Sequence, residues 1–171
     1  MTEPSTLLED IRVQNVVRLG PGEGNATLIG DLRVTWKAEG ERTGYQFSVD
    51  EVTLKPGFGI PLHRHPFAEF FYVVEGRIDF ALMNEQGEVE WVRCSAGDSI
   101  SAPPNAPHTF HNHGEKPAKF LGVSTHQHEL MLKSSGKPIG ATEPVPTTVA
   151  PDAFETAFSA MTRNQCFVVE A

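Results

Sequence analysis

The chain has 171 residues, with 14 Lys and Arg against 22 Asp and Glu, so its formal net charge at pH 7 is −8. This length fits one domain that folds without disulfides or a structural metal, and the acidity excludes nucleic acid and anionic membranes as expected partners. Cys94 and Cys166 lie far apart in the sequence, so neither a disulfide framework nor a zinc finger is expected.

Residues 1–30 are interpreted as an N-terminal arm. Its first residues, MTEPSTLLEDIRVQ, lack the basic and apolar regions of a signal peptide, and no apolar run in the sequence is long enough to cross a bilayer. We therefore expect a cytoplasmic protein that does not contact membranes. Within the arm, Ile11 to Leu19 form an extra β-prone segment, which the turn-rich GPGEGN follows.

Short runs of alternating apolar and polar residues, broken by Gly, Pro and Asn, fill residues 31–132. Examples are LRVTWKAEG, YQFSVDEVTLKPG, EFFYVVEG and RIDFALMNEQG. Runs with a period of two at such regular spacing are typical of an all-β sandwich or barrel. The segments MNEQGE and NHGEKP predict hairpin loops between such strands.

Residues 133–171 are interpreted as a C-terminal arm with a short helix. Just before it, a helix is predicted to begin near His128, in HELMLKSSG, and to end at Gly136. The stretch KPIGATEPVPTTVAP predicts an extended arm without regular structure, because it is dense in proline. PDAFETAFSAMTRN then predicts a helix, because Pro151 suits a first-turn position and apolar residues recur every three or four positions. The terminal CFVV either caps the barrel mouth or packs on a partner.

Two segments in the β-rich region carry residues that bind metals. In GFGIPLHRHPFAEFFYVVEG, His63 and His65 share one face of a strand, and Glu69 lies on one face of the next strand. His108, in GDSISAPPNAPHTFHN, begins a further strand. If these faces point inward, the groups meet inside the barrel. Imidazoles with one carboxylate suit Fe, Mn, Ni, Co or Zn, whereas Ca and Mg prefer oxygen ligands only.

The same segments resemble the two motifs of the cupin superfamily. The first motif, G(X)5HXH(X)3-4E(X)6G, is matched at every fixed position by Gly57, His63, His65, Glu69 and Gly76. The second, G(X)5PXG(X)2H(X)3N, is matched by Gly97, Pro103, His108 and Asn112. Asn105 stands where that motif has Gly, and Asn is the residue that most readily replaces Gly at positive φ.

The resemblance implies an all-β cupin jelly-roll barrel with short C-terminal helical additions. It also implies one divalent transition metal per chain, held by His63, His65, Glu69 and His108. The alternative is a metal-free cupin that retains these residues, at the cost of burying four polar groups without a partner. Cupins commonly dimerise, and the segment from Ile11 to Leu19 offers a strand that pairs with a neighbouring barrel, so we expect a homodimer.

Among cupins, the chain is similar to single-domain bacterial proteins of the quercetin-dioxygenase-like group. This resemblance implies a dioxygenase that acts on a flavonol-like or other enolic aromatic small molecule, with Glu69 as the catalytic base. One alternative is a metal-dependent lyase, isomerase or polyketide cyclase that does not use dioxygen. Another is a non-catalytic protein that binds a small molecule.

Several further side chains are assigned from strand parity or from their aromatic character. The candidates to line a substrate pocket are Phe47, Phe71, Ile78, Phe80 and Phe110. His111 and His113 have the parity opposite to His108, so we expect them to face outward or to lie in a loop. The alternating pair His126 and His128 either lines the barrel mouth or follows the chain away from it.

Overall fold

The computed structural model describes residues 15–84, 86–146 and 151–170, which form two antiparallel β-sheets and two α-helices. The strands are β1 (Ala26–Ile29), β2 (Leu32–Ala38), β3 (Ser48–Leu54), β4 (His63–Arg64), β5 (Glu69–Glu75), β6 (Arg77–Met83), β7 (Val89–Ser95), β8 (Ser99–Ala102), β9 (His108–His111), β10 (Ala118–Ser124), β11 (Lys137–Ile139) and β12 (Phe167–Val168). The helices are α1 (His126–Ser134) and α2 (Ala153–Arg163). The predicted all-β jelly roll with C-terminal helices is confirmed.

The two sheets differ in size and together enclose one core. The larger sheet has the strand order β11-β1-β2-β3-β10-β5-β8, and the smaller has the order β12-β4-β9-β6-β7. Buried side chains from both sheets meet between them, among them Trp36, Phe71, Phe80 and Phe110. Each large apolar side chain buried in this way stabilises the fold by about 1.5–3 kcal/mol.

The alternating sequence pattern determines which side chains enter the core. In β5, Phe71 and Val73 are buried, whereas Phe70 and Tyr72 point outward and are about two-fifths exposed, at 37% and 42%. Strands β3 and β10 show the same alternation of buried and more exposed positions. Glu69 has the parity of Phe71, so its carboxylate points to the interior.

The N-terminal arm differs from the prediction of an extra strand between Ile11 and Leu19. Asn15 to Leu19 form no strand, and the side chain of Val16 is fully exposed. The remainder, residues 11–14, lies outside the described residues. One physical reason is that β11 already pairs with β1 and so occupies this edge of the larger sheet.

The C-terminal arm contributes to both sheets. The prediction that KPIGATEPVPTTVAP has no regular structure is wrong for β11, where Pro138 is tolerated because the strand lies at the sheet edge. Residues 147–150 of this stretch lie outside the described residues. Helix α2 forms where the sequence predicts it, and β12 then pairs with β4. Both flanking arms therefore add strands to the barrel, and the boundaries at 31 and 132 stay predictions.

Helix α1 begins at His126, close to the predicted start. Thr125 caps it, because its side-chain oxygen accepts a hydrogen bond from the backbone N–H of His128. Within the described ranges, no helix has both the length and the apolar character that a membrane crossing requires.

Candidate metal centre

The fold brings the four predicted metal ligands together. His63 in β4 and His108 in β9 are direct partners across two antiparallel strands. Glu69 begins β5, and His65 lies in the short connection between β4 and β5. One potential ligand atom from each of these four residues lies within 4.8 Å of every other.

A backbone turn fixes the position of His65 relative to His108. Asn105 adopts a φ of 64°, the left-handed conformation that its place in the motif requires. Its backbone N–H donates a hydrogen bond of 2.7 Å to the carbonyl of His65. Asn112 lies outside the cluster: its side-chain amide donates hydrogen bonds to the carbonyls of Leu54 and Lys116, which holds the loop before β10.

Backbone carbonyls set the tautomers of two imidazoles. Nδ1 of His63 lies 3.0 Å from the carbonyl oxygen of Pro61, and Nδ1 of His108 lies 2.8 Å from that of Ala106. A carbonyl only accepts hydrogen bonds, so both Nδ1 atoms carry a hydrogen. In the neutral ring, Nε2 then presents a lone pair toward the cluster, which is the arrangement that metal-binding histidines use.

Glu69 lies at the centre of the cluster. Its Oε2 is 2.8 Å from Nε2 of His65 and 2.9 Å from Nε2 of His108. His108 already carries a hydrogen on Nδ1, so in the neutral ring both Nε2 and the carboxylate oxygen are acceptors. Two acceptors lie this close only if a second proton or a shared cation stands between them. Two ligand atoms that are each about 2.1 Å from one metal ion, in adjacent positions, stand roughly 3 Å apart. The donor set therefore fits a single divalent transition metal.

The protonation states of His63 and Glu69 at neutral pH also suit metal binding. Burial, reinforced by the neighbouring His108, lowers the pKa of His63 to about 4, so this imidazole is neutral. Burial favours the protonated form of Glu69, but the electrostatic interaction with His128 and the hydrogen bonds with His108 and His65 outweigh it and hold the pKa of Glu69 well below its usual range. The carboxylate is therefore ionised. For His108, burial is outweighed by the contact with Glu69, which raises the pKa of this imidazole.

A cavity of about 570 Å³ lies beside the cluster, and His63, Glu69 and His108 form part of its wall. The rest of the wall is mainly apolar and includes Phe71 and Phe110, two of the predicted pocket residues.

The other three predicted pocket residues lie elsewhere. Phe47 precedes β3 and is 44% exposed, because the inward parity of this strand begins at the buried Ser48. Ile78 and Phe80 are fully buried in the core between the sheets and are not among the described residues that line the cavity. Their aromatic or aliphatic character was the only basis for the prediction, and it does not separate packing residues from pocket residues.

The C-terminal arm covers the open side of the cavity. Side chains of α2 that line it are Phe154, Ala157, Phe158 and Met161, and Cys166 and Val168 add to the wall beyond the helix. Strand β12 fixes this cover, because Val168 pairs with His63. Of the two alternatives for the terminal CFVV, the structure places this segment at the barrel.

Two cavity residues were not assigned to the site from the sequence. His128 is buried, and its Nε2 lies 3.4 Å from Oε1 of Glu69. The sequence left its position open, because strand parity cannot tell where His126 and His128 point when both lie in helix α1. Asp50 is buried in β3 and also lines the cavity. The sequence feature that could have identified Asp50 is an acidic residue at an inward-facing position of the strand SVDEVTL.

His111 and His113 lie away from the cluster. Nε2 of His111 donates to the carbonyl oxygen of Ile60 at 3.1 Å, and Nδ1 of His113 lies 2.9 Å from Oδ2 of Asp79. His126, the partner of His128 in the sequence, contacts Oε2 of Glu129 at 3.1 Å.

Comparison with known proteins agrees with this geometry. Residues 50–124, which span β3 to β10, match the sequence profile of the cupin domain. This part of the chain is similar to the cupin domain. It contains all four residues of the cluster and both motifs.

The chain is also similar to curated proteins. Germin-like protein subfamily 2 member 1 of Arabidopsis thaliana is 27% identical over 111 residues, which cover 64% of this chain and 51% of that protein. Polyketide synthase CurC of Streptomyces cyaneus is 32% identical over 113 residues, which cover 64% of this chain and 66% of that protein. The chain thus spans about half of the first relative's length and about two thirds of the second's.

A solved structure shows the same cupin fold. A variant of oxalate decarboxylase from Bacillus subtilis superposes with a TM-score of 0.54 at 22% identity, and the match covers 68% of this chain and 31% of that one. At this level of identity, the likeness concerns the fold alone.

Proposed function

We propose that the protein is a divalent-metal-dependent dioxygenase that acts on a flavonol-like or other enolic aromatic small molecule. The observation that carries the proposal is the cluster of three histidines and one glutamate at the wall of a large, mainly apolar cavity. A structural metal is not needed for a chain of this length, so a metal at the cavity wall serves binding or chemistry.

His63, His65, Glu69 and His108 are the residues that hold the metal in this proposal. Iron, manganese, nickel, cobalt and zinc all suit such a set of nitrogen and oxygen ligands. When bound, such an ion lowers the pKa of a coordinated hydroxyl and, if redox-active, supports chemistry with dioxygen.

Glu69 is the proposed base that takes the proton of the substrate hydroxyl. Its carboxylate is ionised at neutral pH, which is the form that accepts a proton. Oε2 faces His65 and His108, whereas Oε1 faces His128 at 3.4 Å. A proton received by Glu69 therefore stays within reach of buried imidazoles.

The cavity wall favours an apolar substrate over a small dianion. Among the described residues that line the cavity there is no lysine or arginine, and three carboxyl side chains are present, those of Asp31, Asp50 and Glu69. A dicarboxylate would meet the ionised Glu69 without a fixed cation other than the metal. An aromatic ring instead packs against side chains such as Phe71 and Phe110.

Two other functions remain as alternatives. The 32% identity to a polyketide synthase favours a second candidate, a lyase, isomerase or polyketide cyclase that uses the metal to polarise a carbonyl. The same cavity also suits a protein that binds a small molecule without turnover. Conversion of an enolic polyketide-like substrate in the absence of dioxygen would favour the former, and an unchanged ligand retained through purification would favour the latter.

Oxygen uptake tests the dioxygenase directly. The protein is loaded separately with Fe, Mn, Ni and Co, and dioxygen consumption is followed with quercetin, with a catechol and with no substrate. We expect substrate-dependent uptake with at least one of these metals and much less with the Glu69→Gln variant loaded to the same metal content. No uptake above the metal-free protein with any metal would contradict the proposal.

A further inference from the structure

Asp50 is an acidic side chain in an unusual position. It lies on the inward-facing side of β3, is 5% exposed and forms part of the cavity wall. Within the described part of the chain, no hydrogen bond reaches its carboxyl group. Burying a carboxyl group without a partner is costly, so its retention in an apolar wall points to a function in the cavity.

A glycine gives this carboxyl group its direction. Gly122 in β10 is the direct partner of Asp50 in β3 and of Phe71 in β5. A Cβ atom on Gly122 would lie 2.8 Å and 2.9 Å from the two carboxyl oxygens of Asp50. The carboxyl group of Asp50 therefore occupies the space above Gly122 that a side chain at this position of β10 would fill. This direction leads from β3 toward β5, the strand that carries Glu69.

The surroundings of Asp50 favour the neutral acid. Burial, and to a lesser extent the nearby charge of Glu69, raise the pKa of Asp50 well above its usual range. Among the described residues of the cavity wall, the other titratable ones are Asp31, His63, Glu69, His108, His128 and Cys166. None of them is a permanent cation that would stabilise a second carboxylate. A neutral carboxyl group has one O–H to donate, and the described residues offer it no acceptor.

We propose that Asp50 contacts the ligand, by donating a hydrogen bond to an oxygen of a molecule that carries an enol next to a carbonyl and that binds at the metal centre. This inference rests on the proposed function for the class of ligand. Glu69 and Asp50 then have complementary roles: the first accepts the proton of the enol, and the second stabilises the oxygen atoms that gain negative charge. Two carboxyl groups whose environments move their pKa values apart are a common basis for such a division.

The protonation of Asp50 is tested by infrared spectroscopy at neutral pH. The spectrum of the Asp50→Asn variant is subtracted from that of the wild type, with both proteins loaded with zinc. The loaded protein is the decisive case, because the positive charge of the metal favours the carboxylate form of Asp50. We expect the C=O stretch of a protonated carboxylic acid in the wild type, absent in the variant. A carboxylate band in its place would overturn the proposal.

The contact with the ligand is tested with tropolone, a small enolone that chelates divalent metals. Its affinity for the zinc-loaded protein is measured by absorbance. We expect Asp50→Leu, which removes the donor, to weaken tropolone binding by about tenfold or more. Asp50→Asn keeps a neutral donor, so we expect a change within about threefold. As the matched control, Asp31→Asn also removes an acid from the cavity wall, but this residue pairs with Lys55 at 3.6 Å, and its effect should be negligible.

Gly122→Ala provides an independent variant. The added methyl group displaces the carboxyl group of Asp50. Gly122→Ala should therefore weaken tropolone binding when Asp50 is present and have little effect when it is combined with Asp50→Ala. Equal affinity of the wild type and Asp50→Leu, or no tropolone binding by the zinc-loaded wild type, would overturn the proposal. These results are distinguishable from failure of the dioxygenase, which shows as a lack of oxygen uptake whether or not tropolone binds.

Discussion

The backbone of His63 pairs with that of His108 across β4 and β9, although the two residues belong to different sequence motifs. Their ring centroids lie 4.6 Å apart. On its other side, β4 pairs with β12, where Val168 is the partner of His63. The backbone of His63 is therefore held by a strand from the second motif on one side and by the C-terminal arm on the other.

The charge of Glu69 is expected to be essential for tight metal binding. Glu69→Gln keeps the size of the side chain but replaces an anionic ligand by a neutral amide. We expect the affinity for zinc to fall by at least about tenfold, as measured by competition with a chromophoric chelator. Glu75→Gln, at the exposed end of the same strand, is the control and should bind zinc as the wild type does. An unchanged affinity in Glu69→Gln would remove this residue from the ligand set.

Acid should release the metal. Each imidazole must be neutral to bind, and His108, whose pKa is raised by its contact with Glu69, is the ligand that protons occupy first as the pH falls. His63, with a pKa lowered to about 4, does not limit binding in this range. We expect the protein to lose its metal below about pH 6. The loss is measured by elemental analysis after dialysis at each pH. Full retention of the metal at about pH 5 would contradict this expectation.

Glu129 is expected to stabilise the helix that carries His128. Its buried carboxylate accepts hydrogen bonds from the backbone N–H of Gly40 at 2.7 Å and from Nζ of Lys133 at 2.5 Å. Glu129→Gln should lower the free energy of unfolding by about 1–3 kcal/mol at neutral pH, measured by urea denaturation. Glu155→Gln, at an exposed position of α2, serves as the control.

The effect of Glu129 should also depend on pH. Burial is outweighed by the contacts with Lys133, His126 and Gly40, so the pKa of Glu129 is lower in the folded than in the unfolded state. The stabilisation is therefore present above the unfolded pKa and is lost as the pH falls through the folded pKa. The difference between wild type and Glu129→Gln should shrink below about pH 4. A difference that stays constant into acid would show that the ionised carboxylate is not its source.

A homodimer is also expected. Light scattering should give about twice the chain mass of 18.7 kDa. The measurement is made at protein concentrations well above those of the activity assays. A mass equal to that of one chain would contradict the expectation.

The sequence predicted the features that depend on strand parity. Glu69, Phe71 and Val73 share a face because alternate residues of a strand point to the same side. His63 and His65 reach the same cluster, but not by strand parity, because β4 ends at Arg64. The positive φ of Asn105 was predicted from its place in the second motif. Such features are local, so a short sequence segment is sufficient to determine them.

Features that depend on long-range packing were not predictable in this way. The pairing of β11 with β1 and of β12 with β4 joins segments distant in sequence, and neither arm has an alternating pattern long enough to indicate it. Ile78 and Phe71 look alike in the sequence, yet the first packs between the sheets and the second reaches the cavity. The carboxyl group of Asp50 is directed by Gly122, a residue of another strand.

The most direct test of the metal centre is the metal content of the protein and of its histidine variants. Untagged protein is expressed in medium supplemented equally with Fe, Mn, Co, Ni and Zn, and its metals are measured by plasma mass spectrometry. We expect about one ion per chain in the wild type and in the control His113→Ala, whose side chain lies outside the cluster, and little in His63→Ala, His65→Ala and His108→Ala. A wild type with no more metal than these three variants would contradict the account.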